Sequence, residues 1–261
     1  MNTLDLFKLD GQVAVVTGGA RNLGRQHALA LAEAGADVAI CDLDEDAGRA
    51  TEAEIKGLGR RAWFARVDIT RTEQVDAFIS QVVERLGRID ILVNNAAIPS
   101  EGIPLHEVSD DQWRRIIDVN LSSLFYVGKR VARLMIERGT GGRIVNIASM
   151  NATVIGNLSP RHNVTYCVAK AGVAHLTRGM AAEWAQYDIR VNALAPGFIH
   201  TDQTAASAKV PEILERNLAN TPMKRYGRID ELKGAIVFLA SPASSFATGS
   251  VLTIDGGYTI W

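Results

Sequence analysis

Short apolar runs alternate with longer amphipathic stretches along the whole chain. Seven of the runs read as strands: "QVAVVTG", "DVAICD", "AWFARVD", "IDILVNN", "RIVNIAS", "IRVNALAP" and "VLTIDGG". They are rich in Val and Ile, and most are separated by segments long enough for a helix. This is the pattern of repeated βα units, which build a parallel sheet. Right-handed crossovers then lay helices on both faces of that sheet. The predicted fold is a single-domain α/β Rossmann-type, doubly wound sheet of seven parallel strands spanning residues 1–261.

Two segments break the rhythm. Residues 150–165 form a polar connection after the fifth strand, and residues 198–222 follow the sixth with the helix-prone insert "TDQTAASAKVPEILERNLANT". Ligands of open parallel sheets bind outside the carboxyl ends of the strands. Both segments emerge at that edge and are expected to wall a substrate.

Composition narrows the partner. Hydrophobic residues at 47% supply a large core and aromatics at 6% leave its packing to Ala, Val, Leu and Ile, which suits helices on a sheet. A net charge of -1, with no long run of Lys or Arg, points away from nucleic acid and from an anionic membrane surface, towards a small molecule. Cys41 and Cys167 stand far apart and the five histidines lack ligand spacing, so no disulfide or metal is expected. Neither a signal pattern nor a long apolar run is present, and a cytoplasmic location is expected.

The first strand runs into "TGGARNLGR", Thr17 to Arg25, and then into a helix. Glycines there let a backbone turn tightly against a pyrophosphate held by the helix N-terminus. The second strand ends at Asp42, eighteen residues after Gly24. A carboxylate so placed accepts hydrogen bonds from ribose hydroxyls and repels a 2′-phosphate, which favours NAD over NADP. Arg21 pulls the other way, because a guanidinium beside the turn suits a 2′-phosphate.

Tyr166 and Lys170 lie one helical turn apart and share a face. An ammonium beside a phenol favours its ionised form, giving a usable acid or base. Here the chain resembles the short-chain dehydrogenase/reductase family over essentially its whole length. The matching pieces occur in the family's order: "TGGARNLG", Asp42, Asp68 in "VDIT", "NNAA" at Asn94 to Ala97, Asn120 in "VNL", Ser149, "YCVAK" and "PGFIHT" at Pro196 to Thr201.

The resemblance implies a tetrad. Tyr166 would exchange the proton on the substrate oxygen, Lys170 would tune it and hold the nicotinamide ribose, Ser149 would bind the same oxygen, and Asn120 would support a water chain behind Lys170. It also implies dinucleotide contacts from Gly18, Asn22, Leu23 and Gly24, from Asp42, Leu43, Asp68 and Ile69, and from Asn95, Ala96 and Ala97. Tyr166, Lys170, Pro196, Gly197, Ile199 and Thr201 complete that set, and a homotetramer is implied as well.

The chain departs from the family pattern in three places. Asn22 stands where a second glycine is common, and asparagine tolerates a left-handed backbone better than most residues. Ala97 replaces a usual glycine. The common serine-to-tyrosine spacing would put the serine at position 153, occupied by Thr153, whereas Ser149 lies seventeen residues before Tyr166. Ser149 is assigned because it ends the strand "GGRIVNIAS", so that a longer loop leaves both anchors in place.

The wall between them is polar, and Asn151, Asn157, Arg161 and His162 are candidate substrate ligands for a molecule with several hydroxyls. The segments "GSVLTIDGGYTIW", "AAEWAQYDIRVNALAPG" and "IASM" resemble the polyol and sugar dehydrogenase branch, galactitol and gluconate dehydrogenases among them. The expected activity is NAD-dependent oxidation of a secondary alcohol of a polyol or sugar. The alternatives are a reductase of 3-oxoacyl thioesters or other carbonyls, and a catalytically silent NAD-binding scaffold. The C-terminal "GYTIW" is a suitable interface or an internal packing element.

Overall fold

The computed structural model describes residues 2–100, 102–155 and 162–260. Its first half runs β1 (Val13–Thr17), α1 (Asn22–Glu33), β2 (Asp37–Asp42), α2 (Glu45–Gly57), β3 (Ala62–Arg66), α3 (Thr72–Leu86) and β4 (Ile91–Asn94). After α4 (Asp110–Ile117), a π-helical turn (Asp118–Ser122) leads straight into α5 (Ser123–Arg138) and then β5 (Gly142–Ile147). The last part holds α6 (Val164–Trp184), β6 (Ile189–Pro196), α7 (Asp202–Ala208), α8 (Pro211–Ala219), α9 (Lys233–Ala240) and β7 (Val251–Ile254).

All seven strands are parallel and lie in the order β3-β2-β1-β4-β5-β6-β7. The expected doubly wound sheet is therefore present; six strands lie inside the apolar runs, and β5 starts one residue before its run, at Gly142. β1 is buried at every position because both its faces are covered. Ala14 and Val16 pack with α1 and α9 in one core, while Val13 and Val15 pack with α3, α5 and α6 in the other. A strand that must feed two cores cannot alternate apolar with polar. Each fully buried Val or Leu contributes roughly 1.5–3 kcal/mol relative to exposure, so the two cores together hold the sheet.

The order reverses between β1 and β4, and a crevice opens there at the carboxyl ends of the strands. β4 starts at Ile91 because Asp90 turns inward, accepting from the Val13 N–H at 2.9 Å and from Arg88 Nε at 2.8 Å. The 198–222 insert folds as two short helices, the second opened by Pro211 at its first turn, where a missing N–H costs nothing. Tyr258 of the C-terminal tail is buried edge-on to Phe198 at 5.4 Å, and Phe198 stacks on Tyr226 at 5.3 Å. That part of the tail supports the wall from within. Among the described residues no helix is long and apolar enough to cross a membrane.

A buried polar chain fixes α6 against the sheet. Asn94 Nδ2 donates to Asn146 Oδ1 at 2.9 Å, Asn146 Nδ2 donates to Thr177 Oγ1 at 3.0 Å, and Thr177 Oγ1 donates to the Val173 carbonyl at 2.8 Å. All three polar side chains are excluded from water. Asn146→Ala removes the middle link and strands its neighbours, so it is expected to cost about 2–3 kcal/mol in urea unfolding. A loss below about 0.5 kcal/mol would show that the chain does not hold α6.

Candidate active site

The glycine turn is built by close approach. A Cβ on Gly24 would lie 1.8 Å from the Gly18 carbonyl oxygen, so no side chain fits between the end of β1 and the start of α1. Gly18 itself has φ +63 and Asn22 φ +48, so Asn22 holds the left-handed conformation expected of it. The Asn95 amide braces the turn, donating to the Thr17 and Gly18 carbonyls at 3.0 Å each.

Asp42, at the end of β2, is fixed by main-chain donors. Its Oδ2 accepts from the Ala20 N–H at 3.1 Å, and its Oδ1 accepts from the Leu43 and Asp44 N–H groups at 2.7 and 3.2 Å. Arg21 forms an ion pair with Asp44, the residue that caps α2. Asp68 accepts from Thr70 N–H and Oγ1 at 3.0 and 2.7 Å, which shapes the turn before α3.

Ser149 follows β5, and its hydroxyl accepts from the Asn151 N–H at 3.2 Å. Tyr166 enters one turn after Asn163, whose left-handed backbone (φ +51) starts α6 and whose Oδ1 accepts from Ser100 Oγ at 3.1 Å. Lys170, one turn further on, is buried, donates to the Ile147 carbonyl at 2.7 Å and stands 5.5 Å from the centre of the Tyr166 ring.

Burial pushes the Tyr166 phenol up to about 12, and its hydrogen bond with the Ser149 hydroxyl opposes that rise. Ser149 and Tyr166 line the same cleft despite the long spacing, while Thr153 is exposed and off that lining. Burial also lowers the Lys170 ammonium to about 8. The sequence led us to expect an ammonium that brings the phenol down, but here exclusion from water dominates both groups.

These parts share one cleft of about 1560 Å³. Small-molecule sites are typically about 300–1,000 Å³, so it has room for a dinucleotide and a substrate together. Gly18, Asn22, Leu23 and Gly24 line it at the turn; Asp42, Leu43, Asp68 and Ile69 at the ends of β2 and β3; Asn95, Ala96 and Ala97 after β4. Tyr166 and Lys170 line it from α6, and Pro196, Gly197, Ile199 and Thr201 from the end of β6 onwards. The glycine cradle and this lining fit a nicotinamide dinucleotide.

The remaining expectations divide. Asn151 lines the cleft with a buried Oδ1 that has no hydrogen-bond partner among the described residues. His162 is off the lining, its carbonyl facing Cys167 Sγ at 3.7 Å, and Asn157 and Arg161 lie outside the described residues. Asn120 is buried behind the cleft with both amide ends on Ile98, accepting from its N–H at 2.8 Å and donating to its carbonyl at 2.9 Å. It therefore acts as a positioning residue for the loop after β4. Sequence reading missed Asp111, Arg114 and Arg115 of α4, which line the cleft. The one signal for them was the capping box Ser109-x-x-Gln112, which marks a helix but not its direction.

Comparison with known proteins places the chain among relatives of the same length and fold. A family model described as enoyl-(acyl carrier protein) reductase matches residues 18–259. Galactitol 2-dehydrogenase of Rhizobium johnstonii is 41% identical, covering 98% of this chain and 98% of its own. The structure of a gluconate 5-dehydrogenase from Burkholderia cenocepacia in complex with NADP and tartrate is 39% identical, with a TM-score of 0.92 over 100% of both chains. That of a 7α-hydroxysteroid dehydrogenase with NADH and 7-oxoglycochenodeoxycholic acid is 36% identical, with a TM-score of 0.91 over 98% of both. With likeness of this extent in both sequence and structure, the chain belongs to the short-chain dehydrogenase/reductase family.

Proposed function

We propose that this oxidoreductase oxidises a secondary alcohol of a polyol or sugar, with NAD as the preferred acceptor, in the cleft between the glycine turn and α6. The observation that carries the reading is the convergence of Ser149, Tyr166 and Lys170 on one cleft, with the Lys170 ammonium 5.5 Å from the centre of the Tyr166 ring. When bound, the nicotinamide supplies the hydride chemistry. Gly18, Asn22, Leu23 and Gly24 would receive the diphosphate, Asp42 the adenosine ribose, and Lys170 the nicotinamide ribose.

Tyr166 and Ser149 hold the substrate oxygen between them, and Tyr166 takes or gives its proton. In the free cleft the phenol keeps that proton. A phenol beside an amine and a phenolate beside an ammonium carry the same number of protons, so the pair loses its first one near the Lys170 value. Lys170 thereby brings a base within reach of pH 8. Asn120 holds Ile98 and the loop that faces the substrate.

Asp42 supports the preference for NAD, because a fixed carboxylate at the ribose repels a 2′-phosphate. Arg21 opposes it weakly, being drawn to Asp44. Asp42 is held by three main-chain N–H donors at the end of β2, which supports its weight in that balance. Asn151 supports a hydroxylated substrate, since its buried oxygen needs a donor. A thioester reductase would use the same residues, and strict use of NADPH would favour it. Exposed Phe125 on α5 and Val168 on α6 support self-association as a homotetramer, which light scattering would report as a fourfold mass.

Purified protein with NAD is expected to form NADH from at least one C4 to C6 polyol or sugar acid. Tyr166→Phe should lose at least about 100-fold in kcat/KM. NADP should be at least about tenfold poorer, and Asp42→Ala should narrow that gap. Silence across the panel with NADH still binding would favour a carbonyl reductase of another class. For alcohol oxidation, kcat/KM should rise as pH passes about 8, because the pair becomes a base there, and a flat profile from pH 7 to 9 would remove Lys170 from that role.

A further inference from the structure

A reciprocal pair of hydrogen bonds joins the glycine turn to the segment that follows β6. Asn22 Nδ2 donates to Asp202 Oδ2 at 3.1 Å, and the Asp202 N–H donates to Asn22 Oδ1 at 3.1 Å, across 180 residues of chain. Asn22 lines one bank of the cleft, and Thr201, beside Asp202, lines the other.

The backbone of Asn22 is left-handed, at φ +48, a conformation that suits glycine better. The side chain carried there uses both ends of its amide on the opposite bank. From Asp202 the hold passes on: Thr204 Oγ1 donates to the Ile199 carbonyl at 2.6 Å and meets Thr201 Oγ1 at 3.3 Å, so residues 199–204 move together. On its far side the same stretch is anchored to Gly227, whose N–H donates to the Phe198 carbonyl at 2.9 Å and whose carbonyl accepts from the His200 N–H at 2.9 Å. One edge is thus tied by backbone and the other by a pair of side-chain bonds that can open without unfolding anything.

We propose that Asn22 is a positioning residue that clasps the substrate wall over the bound dinucleotide, so that opening the Asn22–Asp202 bonds is a step in cofactor release. The inference rests on the dehydrogenase reading above and adds the element that sets how long the cofactor stays. Two solvent-exposed hydrogen bonds, one to a carboxylate, are enough to change a release rate by about tenfold and too weak to lock the cleft.

The test is stopped-flow release of NADH from the full chain, chased with excess NAD and followed by nicotinamide fluorescence. Asn22→Gly, which suits the left-handed backbone and loses both bonds, is expected to release NADH about tenfold faster. Asp202→Ala should do so about threefold faster, because the N–H of residue 202 still reaches Asn22. Asp202→Asn keeps an acceptor oxygen and should stay within about twofold of the native rate, and the double variant should be no faster than Asn22→Gly. A raised KM for NAD should accompany the faster release in Asp202→Ala. Asn22→Gly and Asp202→Ala both within about twofold of native, or a double variant as fast as the product of the two single effects, would overturn the clasp and leave the dehydrogenase reading intact. A native chain that binds no NADH would overturn both.

Discussion

The site depends on one buried cation. Lys170 is taken out of water on α6, with the Ile147 carbonyl at 2.7 Å and the Tyr166 ring for company. Among the described residues no carboxylate pairs with it, and burial lowers its ammonium to about 8. A group held at this cost needs surroundings that cannot relax. The two cores and the Asn94–Asn146–Thr177 chain supply that rigidity, since they fix α6 to the strands whose ends form the floor of the cleft. Stability given up at Lys170 is a usual companion of a reactive site.

The same rigidity explains how a long loop leaves the chemistry undisturbed. Ser149 is placed by the end of β5 and Tyr166 by the packing of α6. Each is anchored by its own element, so their spacing in sequence does not by itself set their separation in space. Asn163 turns the backbone into α6 through a left-handed conformation and holds Ser100. Asn120, in the π-helical turn between α4 and α5, holds Ile98. Positioning thus falls to amide side chains at irregular backbone, where short polar groups satisfy main-chain atoms that no strand or helix can reach.

What was legible in the sequence follows from these physics. The strands could be read because a doubly covered sheet demands unbroken apolar runs, as in "QVAVVTG" and "IRVNALAP". Gly18, Asp42, Asn95 and Pro196 could be expected along one cleft because each sits at a strand end, where sequence neighbours fix spatial ones. The lining by Arg114 and Arg115 could not, because α4 is amphipathic whichever way it faces. The assignment of His162 to the cleft misled for a related reason: polarity in a loop gives no direction. Asn22 was noted as a substitute for glycine, but a partner 180 residues away leaves no periodic trace. Nor did the sequence disclose that burial would outweigh the lysine's influence on Tyr166, since exclusion from water is a property of the assembled cleft.

Titration of the lysine side chains by NMR, with ¹³C at Cε, tests the central claim most directly. Among the seven lysines of the free protein, one resonance should titrate near pH 8 and be missing in Lys170→Met. No resonance titrating near pH 8 that Lys170→Met removes would mean that Lys170 is solvated, and a site built around a buried cation would be contradicted.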